Sequence, residues 1–128
     1  MILKIAVLSG DGIGPEVTEQ SIKVLKSLGK KYNHKIELES GLVGAVAIDK
    51  YNDPYPDETH QVCLDSDAIL FGAIGDPKYD NDPKAKVRPE QGLLKMRKKL
   101  GLYANLRPTK VFESLLEMSP IKEERISG

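Results

Sequence analysis

An α/β fold with a mostly parallel sheet flanked by helices is predicted by three features of the sequence. Lys4–Ser9 (KIAVLS) and Ala68–Gly72 (AILFG) are short apolar runs that end at or beside glycine, the pattern of buried parallel strands. Between and after them lie segments of helical period. Strand-like and helix-like segments also alternate along the chain, as a parallel sheet with helical crossovers requires.

The elements follow in order. After Lys4–Ser9, a helix is predicted over Pro15–Lys31. Pro15 suits a first helical position because its missing N–H would be unbonded there anyway. Val17, Val24, Leu25 and Leu28 share one face of a 3.6-residue period and are expected to face the core. Gly29 is expected to stop the helix. Lys35–Ser40 (KIELES) alternates Ile36 and Leu38 with polar residues and reads as a strand with one wet face. A short helix is predicted around Val43–Lys50, a break at Asn52-Asp53-Pro54-Tyr55-Pro56, and a further helix over Asp57–Leu64. Asp76–Pro89 reads as a long charged loop containing Pro77, Pro83 and Pro89, of a length that compact domains keep for function or leave disordered. Pro89–Leu100 reads as a helix and Ala104–Val111 as an extended segment. No internal repeat or low-complexity tract interrupts the pattern.

Composition narrows the function classes. The 128 residues suffice for one domain with its own core. With 5% aromatics and no Trp, that core is expected to rest on Leu, Ile, Val and Ala. Nineteen basic residues balance nineteen acidic ones, so no net field draws the chain to nucleic acid or an anionic membrane. The longest apolar stretch, Ala68–Gly75, is far too short to span a bilayer. The strand-like pattern begins at once and leaves no room for a signal peptide. Cys63, the single cysteine, can form no internal disulfide and reads as a buried filler. His34 and His60 lack metal-ligand spacing and read as surface or satisfied residues. A cytoplasmic protein is expected.

Gly10-Asp11-Gly12-Ile13-Gly14-Pro15-Glu16 joins the first strand to the first helix, where open α/β sheets bind ligands. It is not the dinucleotide fingerprint. That motif needs its third glycine three positions after the second, and here that position is Pro15, with Gly14 one residue early. Glu39, at the end of the second strand, is thus no ribose acid of that motif, and no Walker lysine follows. Taken alone, the loop reads equally as a tight strand-to-helix turn in which glycines supply positive φ.

A second cluster lies on the helix after Pro89. Glu90, Leu93, Leu94 and Arg97 are spaced to share one face. Arg107 follows ten residues after Arg97. Arg88 and Arg107 both precede prolines, which pushes their backbones toward extended geometry. A guanidinium holds a carboxylate through two parallel hydrogen bonds, so two converging arginines suit a small dicarboxylate. The other reading makes Leu93, Leu94, Met96 and Leu100 core contacts. Arg97, Lys98 and Lys99 then form a solvated face at the helix C-terminus, where cations are favoured.

The string VLSGDGIGPEV resembles the opening of the β-decarboxylating dehydrogenases, the isocitrate and isopropylmalate dehydrogenase family, which does not use the ordinary Rossmann arrangement. The likeness continues in order through GAVAIDKYNDPYPDET (44–59), AILFGAIGDPK (68–78), VRPEQGLLKMRKKLGLYANLRPTKVF (87–112) and SPIKEER (119–125). It implies that family's non-Rossmann fold, here as an incomplete N-terminal portion. Residues 1–102 would open the first, cofactor-side domain, and 103–128 the second, substrate and dimerisation domain.

The resemblance further implies NAD-dependent oxidation of 3-isopropylmalate and loss of its β-carboxylate, giving 4-methyl-2-oxopentanoate on the leucine biosynthetic route. Arg97 and Arg107 would grip the malate part, and Glu90, Leu93 and Leu94 would approach the side group. Ile13, Gly75, Asp76, Pro77, Lys78 and Glu90 would lie beside NAD. Isocitrate enzymes carry a Ser and an Asn on this helix where Gln91 and Leu93 stand here. A leucine surface welcomes a branched alkyl group and cannot repay the desolvation of a carboxylate.

Mg2+ or Mn2+ would find its ligands in later sequence, as would the third arginine and the catalytic tyrosine and lysine. No catalytic or metal-binding residue is therefore expected within 1–128, and the piece alone is expected to be inactive. The full-length enzyme is expected to be a homodimer acting on a small alkyl-substituted malate, with neither nucleic acid nor membrane as partner. The strands at Lys4–Ser9 and Ala68–Gly72 are expected to lack neighbours that the absent part would supply. Three other readings stand beside this one: a related tartrate, alkylmalate or isocitrate enzyme, a small protein binding an anion at the glycine loop, and a nucleotide-binding module.

Overall fold

The computed structural model describes residues 1–80, 85–108 and 112–125. The described elements run β1 (Ile2–Gly10), α1 (Gly14–Lys31), β2 (Lys35–Ser40), α2 (Ala45–Tyr51), α3 (Asp57–Leu64), β3 (Ala68–Ala73), α4 (Pro77–Asp80) and α5 (Pro89–Lys99). Two 3₁₀ turns follow, Glu113–Met118 and Glu123–Arg125. The three strands form one parallel sheet in the order β2-β1-β3. This is the expected α/β architecture, and the expected strands and long helices stand within a residue or two of their predicted ends.

β1 is the middle strand. Its Ile5 pairs with Leu38 on one side and Ala68 on the other. The expectation that it lacks a neighbour is therefore wrong, and among the described residues the open edges belong to β2 and β3. Ala6 and Leu8 of β1 are buried with Val43, Tyr55, Cys63 and Met96 in one cluster. Tyr55 is the largest fully buried side chain, so the core leans on an aromatic residue that composition alone discounts. Its hydroxyl reaches His60 Nδ1 at 3.2 Å. Cys63 is buried as expected. His34 departs from expectation, because its Nδ1 is enclosed and has no hydrogen-bond partner among the described residues.

The apolar face of α1 is also corrected. Val17, Val24 and Leu28 are exposed, while Gly14, Thr18 and Gly29 are buried. Small residues let the helix lie close to the sheet. A Cβ on Gly29 would stand 3.0 Å from the Ile36 side chain, so the bulkier stripe is turned away. Gly29 does not stop the helix, which runs on to Lys31. Asn33 supplies the left-handed residue of the following turn (φ 55°). The predicted Asp76–Pro89 loop is interrupted at its start by α4, because Asp76 Oδ1 accepts the Lys78 N–H (2.9 Å) and its carbonyl accepts the Tyr79 N–H (2.9 Å). Residues 81–84 of that loop lie outside the described residues. So do 109–111 of the predicted extended segment, whose described part, 104–108, has no regular structure.

Candidate functional site

The loops that follow the C-terminal ends of the parallel strands gather on one side of the sheet, where α/β folds bind ligands. The first carries the glycines. Gly10 has φ 72°, and a Cβ there would overlap the Ala73 carbonyl at the end of β3. The Asp11 N–H donates to that carbonyl at 2.7 Å, and the Gly14 N–H to the Asp11 carbonyl at 2.8 Å. These contacts support the tight-turn reading of the motif. The glycines let the loop press against the end of β3.

Asp11 joins the three loops. It is 3% exposed. Its Oδ2 accepts the N–H of Ala45 (2.8 Å) and of Gly75 (3.1 Å), and its Oδ1 accepts the N–H of Val46 (3.0 Å). Gly44, at φ 84°, leaves room for the carboxylate, which a Cβ at that position would strike.

The residues expected beside NAD meet in part. A Cβ built on Gly75 would stand 3.4 Å from Glu90 Oε1, and one on Gly12 would stand 3.9 Å from the Gly75 carbonyl. The Gly75 loop thus lies between the glycine loop and the start of α5. Ile13 is 68% exposed at the head of α1. Lys78 is drawn off to α2, where its Nζ donates to Asp49 at 2.8 and 2.6 Å and the Tyr79 hydroxyl joins them at 2.9 Å. Hydrogen bonding to Asp49 raises the Lys78 pKa, and the same bond lowers that of Asp49.

On α5, the four residues expected to share a face divide. Glu90, Leu94 and Arg97 are exposed, with Leu94 at 64%. Leu93 is partly buried and packs against the core with Leu100, while Met96 is part of the core itself. Both readings of this helix thus hold for different residues. Leu93 and Arg97 line a groove with Ile69, Phe71, Met96 and Leu102–Leu106. Leu106, the residue before Arg107, belongs to its wall, while Arg107 itself is exposed.

Three residue sets that fix α5 were not singled out from sequence. Lys95 Nζ donates to Asp53 Oδ2 and Lys99 Nζ to Asp57 Oδ1, both at 2.5 Å. Gly92 is buried, and a Cβ there would stand 2.5 Å from the Pro54 carbonyl. Signals were available. The two lysines and the two aspartates have the same four-residue spacing, and a glycine inside a helix marks a close approach.

Among the described residues, no group of three or more His, Cys, Asp or Glu side chains stands together as metal ligands. Asp11, Asp49, Asp53 and Asp57 are already engaged by N–H or lysine donors. These residues do not fit a metal centre.

Residues 4–128 match the model of the isocitrate/isopropylmalate dehydrogenase family. The chain belongs to that family. Among curated relatives, the 3-isopropylmalate dehydrogenase of Bacteroides fragilis is 56% identical over 128 residues, covering 100% of this chain and 36% of that protein. The 3-isopropylmalate dehydrogenase of Aquifex aeolicus is 57% identical over 125 residues, covering 98% and 34%. The chain thus spans about a third of the length of the curated relatives it matches.

Two solved structures share the fold. A β-decarboxylating dehydrogenase from Thermococcus kodakarensis in its apo form superposes with a TM-score of 0.65 at 34% identity, over 85% of this chain and 30% of that one. The isocitrate dehydrogenase of Methylococcus capsulatus gives a TM-score of 0.69 at 27% identity, over 87% and 30%. The three-stranded sheet is accordingly one part of the family's fold. Among the described residues, no helix is long and apolar enough to cross a membrane.

Proposed function

We propose that this chain is the opening part of an enzyme that oxidises 3-isopropylmalate with NAD and releases its β-carboxylate as CO2, forming 4-methyl-2-oxopentanoate. The observation that carries the reading is the open face of α5. There an exposed leucine, Leu94, stands between Glu90 and Arg97. Exposed apolar side chains flanked by opposite charges suit a ligand with an alkyl branch and carboxylates at its other end. Arg97 takes one carboxylate in a forked pair of hydrogen bonds, and Arg107 completes the grip. Leu94 meets the branched alkyl group and Leu93 backs it from the core side.

Ile13, the loop Gly75-Asp76-Pro77-Lys78 and Glu90 are the residues we assign to NAD. The support is the exposed apolar surface of Ile13 and the approach of Glu90 to Gly75. NAD held by these residues would supply the oxidant, as acceptor of a hydride from the substrate's hydroxyl-bearing carbon. This chain's part is to position both molecules, which removes much of the entropic barrier to their meeting. The magnesium or manganese ion and the acid–base groups belong, on this proposal, to the rest of the enzyme. Residues 103–128 open its second domain, and the full-length protein is a cytoplasmic homodimer.

The test is to incubate the full-length enzyme with 3-isopropylmalate, NAD and Mg2+ and to follow NADH and CO2. Equimolar release of both is expected. No NADH from 3-isopropylmalate, with turnover of tartrate or isocitrate instead, would overturn the assignment.

A further inference from the structure

We infer that Asp11 is a positioning residue for the cofactor, which it serves by holding the Gly75 loop to the start of α2 from a buried site. The inference rests on the assignment of residues 75–78 to NAD. A carboxylate removed from water is costly unless hydrogen bonds replace its hydration. Asp11 is 3% exposed and has no cationic partner among the described residues. Three backbone N–H groups take that role, those of Ala45 and Val46 in the first turn of α2 and that of Gly75 in the loop after β3. Bonds from N–H to an ionised carboxylate are stronger than neutral ones. The N-terminal turn of α2 adds aligned amide dipoles that favour negative charge.

The geometry goes beyond holding the fold together. The main chain of Asp11 grips Ala73 while its side chain grips Gly75, so one residue holds the chain on both sides of Ile74. Gly75 has φ 135° and lies beside Glu90. Residues 76–78 continue directly from that fixed point. Loosening the Gly75 bond shifts the loop relative to Ile13 and Glu90 and leaves Leu94 and Arg97 on α5 in place. The effect should therefore fall on the cofactor and spare the substrate.

The test is Asp11→Ala in the full-length enzyme. The methyl removes all three acceptor contacts, the one to Gly75 included. A rise in KM for NAD of about tenfold or more is expected, the order of one lost hydrogen bond to a charged group. The kcat and the KM for 3-isopropylmalate should change less than about threefold. Active wild-type enzyme with an Asp11→Ala variant whose KM for NAD is unchanged would overturn the inference. Inactive wild-type enzyme would instead overturn the functional assignment.

Hydrogen exchange on the wild type is a separate arm, independent of turnover and of whether the variant folds. The Ala45, Val46 and Gly75 amides should be protected to a common degree, as groups released by one opening are. A Gly75 amide that exchanges more than about tenfold faster than the other two would show that the clamp does not hold the loop.

Discussion

Lys95 and Asp53 meet at 2.5 Å although 42 residues separate them, and their contact ties the middle of α5 to the turn before α3. Lys99 and Asp57 repeat the contact one helical turn further on. Between the helix and this turn, Gly92 lies against the Pro54 carbonyl. The open face of α5 is thus aimed by contacts on its opposite side.

The first prediction concerns Gly92→Ala. In an exposed helix this change would stabilise by about 1 kcal/mol through propensity. Here the new methyl would stand 2.5 Å from a backbone oxygen, and overpacking of this kind costs about 1–3 kcal/mol. The collision outweighs the propensity gain. Urea denaturation of the full-length enzyme should give a lower midpoint for the variant, and a higher midpoint would refute the close approach.

Acid stability should depend on Asp53. Desolvation raises its pKa, but hydrogen bonds from the Lys95 ammonium and the Tyr55 N–H outweigh this and leave it below the ordinary carboxylate value. A pKa depressed in the folded state stabilises above the unfolded value of about 3.9, and that stability is lost as pH falls through the folded value. Asp53→Asn should therefore lower Tm at pH 7, and the gap to wild type should close as the pH drops below about 4. The side chains of the pair are about a third exposed, so the gap should be modest. A constant gap across the titration would show that the ion pair is not its source.

Much of the fold was legible because strands and helices here follow their periods closely. The face of α1 was not, because Val17, Val24 and Leu28 form a helical stripe whether or not they face the sheet. Only the space beneath Gly14, Thr18 and Gly29 decides between the two. The site was legible in pieces. Spacing brought Glu90, Leu94 and Arg97 onto one face, but it cannot tell that Leu93 turns inward. Asp11 stayed hidden because its partners are backbone amides of residues 45, 46 and 75, and backbone groups leave no mark in a sequence.

Leu93 and Leu94 should separate under substitution. Leu94→Ser removes an exposed side chain, so Tm should barely move. The kcat/KM for 3-isopropylmalate should fall by about 10- to 200-fold, the range for contacts to an apolar substrate group. Leu93→Ser should lower both, because Leu93 also packs against the core. Equal effects on Tm from the two variants would contradict the division of the helix.

The arginines should resist replacement by lysine. Arg97→Lys or Arg107→Lys keeps the charge but loses the fork that fits a carboxylate. A hydrogen bond to a charged group is worth about 1.5–3 kcal/mol, so kcat/KM should drop by about 10- to 100-fold or more with a normal circular dichroism spectrum. Wild-type kinetic constants in both variants would remove the clamp.

The central claim is that the α5 surface selects an alkyl-substituted malate. The direct measurement is kcat/KM of the full-length enzyme for 3-isopropylmalate and for isocitrate, with NAD and the same divalent metal. Stranding a polar group against apolar surface costs about 1–3 kcal/mol in proteins, and a carboxylate more. A preference for 3-isopropylmalate of about a hundredfold or greater is expected. Equal values, or a preference for isocitrate, would contradict the account.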